Sequence, residues 1–181
     1  MVDENDVDGY NYRTNRVCFG KQLKRNALCV SIEMDIFHGA KMVLIQSAKS
    51  DSLHLNTLYQ WFHSEWDDVE PLASSKDGKI IPNPIIALNG DELVGGLVFS
   101  RFLSPITKEQ AVWINAVFIK PESRRQGIST QMISFAEQLV KEMRESELLV
   151  FTDMPELYSK QNWQIIETQD ENFVLKSSVV L

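Results

Sequence analysis

An α/β (α+β) fold is what the sequence predicts, on three observations. In VFIKPESRRQGIST, Val117 to Thr130, a β-type run meets a proline, two arginines and a glycine, and a helical pattern begins at once. Two apolar runs flank NGDE at 89–92, a hairpin signal because Asn-Gly accepts positive φ. A short apolar run, Leu148 to Thr152, follows the long helical pattern and reads as a buried strand of parallel type.

Each element can be justified in order. Residues 1–41 show no sustained alternation or helical period and read as an N-terminal extension, irregular or a mis-assigned start, ahead of a domain spanning 42–181. Met42 opens the first clear strand, MVLIQSA. Leu53, Leu55, Leu58, Tyr59, Trp61, Phe62 and Trp66 then recur at helical spacing, to a helix end near Asp67. A polar connection through Ser74, Lys76 and Gly78 to Pro82 and Pro84 has the composition of a flexible rim. Strands are expected at Ile85–Leu88, Leu93–Phe102 and Ala111–Lys120. Ile128, Met132, Phe135, Ala136, Leu139, Val140 and Met143 give the next helix one apolar face to lay on a sheet. After Leu148–Thr152, a last hairpin pairs Trp163–Glu167 with Phe173–Lys176.

The chemistry concentrates in the strand–turn–helix. The first N–H groups of a helix have no partner inside it and bind anions. The macrodipole adds about 0.3–1 kcal/mol per suitably placed charge. Arg124 and Arg125 supply forked cationic donors, and Gly127 permits close approach. A P-loop is excluded because Ile128, not lysine, follows Gly127, and a Rossmann fingerprint needs three glycines where this loop has one. A plain helix start with two surface arginines fits these residues as well as a phosphate site does.

The run RRQGIS resembles the R/Q-x-x-G-x-G/A pyrophosphate signature of the GNAT superfamily of acyl-coenzyme A N-acyltransferases, with Arg124 at the first position and Gly127 at the fourth. Ser129 departs from the Gly or Ala of the sixth, though it is still small. LLVFTDMPELYSKQNW, Leu148 to Trp163, resembles the strand, short helix and aromatic turn that follow in that superfamily, with Tyr158 on its tyrosine and Trp163 on its aromatic. Asn162 stands where glycine is common and tolerates left-handed dihedrals. EWDDVEP, PIIALNGDELVGGLVFS and AVWINAVFI also fall in the superfamily's order, so the resemblance covers about Met42 to Leu181.

What the resemblance implies is specific. The fold would be GNAT-like, a mixed central sheet with splayed fourth and fifth strands and helices on both faces. Acetyl-coenzyme A would be the cosubstrate, its pyrophosphate cradled by Arg124, Arg125, Gln126, Gly127, Ile128, Ser129 and Thr130. The edge Val117, Phe118 and Ile119 would bond the pantetheine amides, and a backbone N–H near Val117 and Phe118 would polarise the thioester. Tyr158 would protonate the departing thiolate, since a phenol of pKa about 10 outlasts a thiol of about 8.5. A buried aromatic with a satisfied hydroxyl is the other reading of such a tyrosine. The acceptor would be an amine of a small molecule or a protein. A non-catalytic acyl-coenzyme A sensor is the alternative, and a structural protein binding through its N-terminal tail a third.

Other features narrow the field. A chain of 181 residues with 44% hydrophobic content can bury one ordinary core. No apolar run approaches the ~20 residues that span a bilayer, and the N-terminus lacks a secretory apolar segment, so no membrane association and a cytoplasmic location are expected. Cys18 and Cys29, the only cysteines, precede the domain, which argues against a disulfide framework or a thiol nucleophile. Residues 42–181 carry the whole net charge of −7, a poor surface for nucleic acid. Glu65, Asp67, Asp68 and Glu70 would favour a cationic substrate if they border its cleft, and form a solvated helix end if they do not. His38, His54 and His63 have no metal-ligand spacing, and no metal is expected. Trp61, Trp66 and Trp113 suit either an acceptor pocket or the core. Glu65, Asp153 and a water held by Asn115 are candidate bases, and a homodimer is compatible with such a domain.

Overall fold

The computed structural model describes residues 43–49, 51–65 and 75–178. The extension before Met42, Cys18, Cys29, His38, Trp66, Asp67, Asp68 and Glu70 lie outside the described residues. The elements run β1 (Val43–Ser47), α1 (His54–Glu65), β2 (Ser75–Lys76), β3 (Lys79–Ile80), β4 (Ile85–Asn89), β5 (Glu92–Leu103) and β6 (Gln110–Ile119). A 3-10 turn (Pro121–Ser123), α2 (Ile128–Glu142), β7 (Leu148–Thr152), α3 (Glu156–Ser159), β8 (Gln164–Gln169) and β9 (Asn172–Lys176) complete them.

Seven of the described strands form one mixed sheet in the order β1-β4-β5-β6-β7-β9-β8. Its neighbours are antiparallel except β6 and β7, which the α2 crossover makes parallel. Alternate residues of each strand face opposite ways, so the apolar strands feed two layers. Leu97, Val112, Ile114 and Leu148 meet Met132, Ile133, Ala136 and Val140 of α2 on one face. Ile86, Val98 and Ala116 meet Leu58 and Phe62 of α1 on the other. A Cβ on Gly96 would overlap the Leu58 side chain, so that glycine sets how closely α1 can lie.

Two local expectations are refined. The connection before Pro82 is not featureless: β2 and β3 pair around Asp77 and Gly78, both at positive φ. Arg101 fastens this hairpin by donating from Nε to the Ile80 carbonyl at 2.8 Å. In the NGDE turn the positive dihedral falls on Gly90, φ 61°, while Asn89 stays in β4 paired with Glu92. Because the small hairpin adds two strands, the expected fourth and fifth strands are β6 and β7.

Candidate active site

Backbone geometry makes the site. β6 and β7 pair only from Val112–Leu148 to Ile114–Val150, although β6 runs on to Ile119 and β7 to Thr152. The two strands part there. β5 stays on the far side of β6 through Gly95–Ile119, so the edge formed by Val117, Phe118 and Ile119 turns its alternate polar groups toward the gap. These residues are half-buried. The β5–β6 register shifts between Val98 and Phe99, leaving Asn115 as an extra, exposed residue at the point of separation. The polar Asn115 inside the apolar run AVWINAVFI is the one sequence signal for that bulge.

Beyond Ile119 the chain enters the turn. Ser123 N–H donates to Lys120 O at 2.8 Å and Arg124 N–H to Pro121 O at 3.3 Å. The next main-chain bond is Gln131 N–H to Gly127 O, 3.1 Å. From Arg125 to Thr130, no main-chain N–H has an acceptor among the described residues. Arg125 and Gly127 adopt positive φ, 61° and 75°, the left-handed turns from which anion-binding nests are built. A Cβ on Gly127 would meet open space, so its φ, rather than crowding within the protein, calls for glycine. Arg124, Arg125, Gln126, Gly127 and Thr130 are exposed, Ser129 is half-buried, and Ile128 is buried as the first anchor of α2. Arg124 Nε donates to the Ile119 carbonyl at 2.9 Å, which orients that side chain at the foot of the loop. Lys120 takes no free part: Glu122, at 2.8 Å, and Glu92, at 2.6 Å, hold it and push its pKa up to about 12. The residues present fit a pyrophosphate.

Tyr158 sits in α3 after β7, 3% exposed, with its ring 5.1 Å from that of Trp163. Burial pushes its phenol well above the ordinary value. Its hydroxyl makes no hydrogen bond among the described residues and is not one of the enclosed orphan atoms. The hydroxyl is therefore left open to water or to a ligand. Asn162 has φ 63°, as its place in the aromatic turn requires.

Of the remaining candidates, Glu65 ends α1 in an exposed position and Asp153 is exposed after β7. Trp113 is 9% exposed and donates Nε1 to Phe102 O at 3.2 Å, and Trp61 stacks on Phe118 at 5.1 Å. His54 and His63 lie along α1, and among the described residues no three His, Cys, Asp or Glu side chains converge as metal ligands would. No described helix is long and apolar enough to cross a membrane.

A helix that opens with unpartnered main-chain donors beside a gap between parallel strands is an arrangement suited to a phosphorylated carrier. Comparison with known proteins agrees. The acetyltransferase (GNAT) family profile matches residues 52–163. No curated relative matches the sequence. Among solved structures, aminoglycoside 6'-acetyltransferase type Ii aligns with a TM-score of 0.58 at 15% identity, over 76% of this chain and 98% of that one. Arabidopsis thaliana NAA60 in complex with acetyl-CoA gives 0.56 at 12%, over 75% and 98%. The ribosomal-protein-S18-alanine N-acetyltransferase from Escherichia coli gives 0.52 at 9%, over 77% and 96%. At these identities the structures speak for the fold, and the profile speaks for descent: the chain belongs to the GNAT acetyltransferase family. Acetyl transfer from acetyl-coenzyme A is the chemistry of that family.

Proposed function

We propose that residues 42–181 form an N-acetyltransferase domain that moves an acetyl group from acetyl-coenzyme A directly to a primary amine of a small molecule or a protein, in the cytoplasm. The observation that carries this reading is the run of unpartnered N–H groups from Arg125 to Thr130, opening α2 beside the gap between β6 and β7. When bound, acetyl-coenzyme A supplies an activated thioester. Arg124, Arg125, Gln126, Gly127, Ile128, Ser129 and Thr130 hold the pyrophosphate, mainly through main-chain donors. Val117, Phe118 and Ile119 bond the pantetheine amides as a strand adds to a sheet, and a main-chain N–H between the Asn115 bulge and Phe118 polarises the carbonyl.

As the amine nitrogen forms its bond to the carbonyl carbon, the carbon–sulfur bond breaks and the thiolate takes a proton from Tyr158, which solvent replaces. The raised phenol pKa keeps that proton in place throughout the working range. The same desolvation raises the thiol and narrows the mismatch between donor and acceptor. The proton shed by the amine leaves through water near Asn115, Glu65 or Asp153, all of which are exposed.

Calorimetry with acetyl-coenzyme A and a thiol-release assay with an amine panel test the reading. Binding with release supports it. Binding without release across the panel leaves a non-catalytic acyl-coenzyme A module, and absence of binding removes the site.

A further inference from the structure

On the side of the sheet away from α2, the strands β6, β7 and β9 carry a third apolar cluster, Ala111, Trp113, Leu149 and Val174. No residue of the described helices belongs to it. An open depression of about 410 Å³ lies over this cluster, with Leu103, Trp113, Phe151 and Val174 among its lining and Lys108 and Glu167 on its rim. That volume falls within the range of small-molecule sites. Phe151 follows Val150, the last β7 residue paired with β6, so the floor of the depression reaches the point where the sheet splits. Its ring is 50% exposed, an aromatic surface held half in water.

We infer that this depression receives the acceptor, and that the acceptor is a primary amine borne on an apolar body rather than a multiply charged amine. The inference deepens the acetyl-transfer reading and rests on it. The phosphate nest opens α2 on one face of the sheet, and the gap between β6 and β7 leads through to the other. A carrier held at the nest and threaded through that gap presents its thioester beside Phe151. Charge selects the body of the acceptor: Lys108 and Glu167 carry opposite signs, so the lining exerts no net pull on a polycation. Glu167, whose Oε1 accepts from Gln169 Nε2 at 2.6 Å, lies on β8. With β9 between, its backbone stands two strand spacings, roughly 10 Å, from that of Phe151. The apolar floor favours deprotonation of the amine, because desolvation lowers an amine's pKa and delivers the neutral form that attacks.

The wall is held from below. Glu147, 3% exposed, accepts from Thr107 Oγ1 at 3.0 Å and from Lys176 Nζ at 2.9 Å, fixing the loop that carries Leu103 and Lys108.

The test compares 2-phenylethylamine, the peptide Phe-Gly-Gly, spermidine and kanamycin as acceptors for the full chain and for Phe151→Asp, with calorimetric titration of 2-phenylethylamine into the coenzyme A-loaded protein. The two apolar-bodied amines should exceed the polycations in kcat/KM by about tenfold or more, and their order tells a free amine from a peptide terminus. Phe151→Asp should raise their KM at least about tenfold, the loss expected for an aromatic contact, with donor affinity unchanged. Preference for spermidine or kanamycin, or an inert Phe151→Asp, overturns the inference while the acetyl-transfer reading stands. A wild type that fails to bind acetyl-coenzyme A overturns both.

Discussion

The two ends of the β6–β7 pair are built to opposite rules. At the C-terminal end, main-chain donors from Arg125 to Thr130 lack acceptors among the described residues, and two arginines face solvent. At the N-terminal end the buried charges are locked together. Arg101 is 1% exposed, yet its Nε reaches the Ile80 carbonyl and its two terminal nitrogens form a fork on the Glu145 carboxylate. Glu147, nearby in sequence, is equally enclosed and equally bonded. A buried unpaired charge costs several kcal/mol, whereas a donor open to water costs little. Donors left open are therefore cheap at the C-terminal end, where water or a ligand can reach them, whereas the charges at the N-terminal end are paired and only the neutral Ser100 Oγ and Gln110 Oε1 are enclosed there without a partner among the described residues.

That contrast breaks most visibly at Tyr158, whose loss should affect rate and leave stability alone. Tyr158→Phe should lower kcat by about 10²–10⁴ while the acetyl-coenzyme A Kd and the urea midpoint hold. Undiminished turnover would remove the phenol from the mechanism. Arg101→Ala should do the reverse. Leaving Glu145 and the Ile80 carbonyl without their partner should cost about 3 kcal/mol in urea unfolding, with donor affinity of the folded protein intact. Arg101→Met with Glu145→Leu should recover much of that loss, because a paired apolar replacement leaves no charge stranded. A single variant as stable as the parent would mean the locked end is not what holds the strands.

The legible parts of the molecule are those whose cause is local. Strand alternation, the apolar face of α2 and the Asn89–Glu92 turn are each set by neighbouring residues, and all appear where the sequence predicts them. The loop from Arg124 to Thr130 was readable for the same reason, since turn chemistry and helix start lie within one short run. Asn162 at φ 63° belongs here too. What escaped depends on distant partners. Asp77-Gly78 is a local turn signal, but the flanking residues lack the apolar alternation of strands, and Arg101 fastens the hairpin from 21 positions away. Leu103, Phe151 and Glu167 meet at one depression only through the strand order, which no spacing reveals. Asn115 lies between these cases: its candidacy for holding a water is legible in the sequence, but its bulge follows from register against β5.

The locked end also has a pH signature. Burial, the largest single influence on Glu147, pushes its carboxyl up, yet the bonds from Lys176, Ser104 and Thr107 together hold it below the usual value. A carboxylate with a depressed folded pKa contributes its full stability above the unfolded value of about 4.3 and loses it as pH falls through the folded one. Glu147→Gln should thus destabilise the protein by about 1–3 kcal/mol from pH 6 to 8, and the gap should close below pH 4. A gap that stays constant into acid would assign the loss to packing.

The smallest effect sharpens the comparison from the side of the backbone. α2 ends with Glu145 N–H on the Val140 carbonyl at 3.2 Å and Arg144 N–H on that of Lys141 at 2.9 Å, a Schellman ending with Arg144 at φ 59°. Glycine is the usual residue there, since a side chain in the left-handed region costs about 1–2 kcal/mol, and glycine's greater unfolded freedom returns part of the difference. Arg144→Gly should therefore raise stability by about 0.5–1 kcal/mol in thermal or urea unfolding, with kcat and donor affinity unmoved. The arginine's side chain is exposed and forms no ion pair among the described residues, so nothing else is lost with it. If the variant is instead less stable, the cation at the end of α2 is interacting with Glu145 or Glu147 at longer range, and the locked end extends further along the helix than its direct bonds indicate.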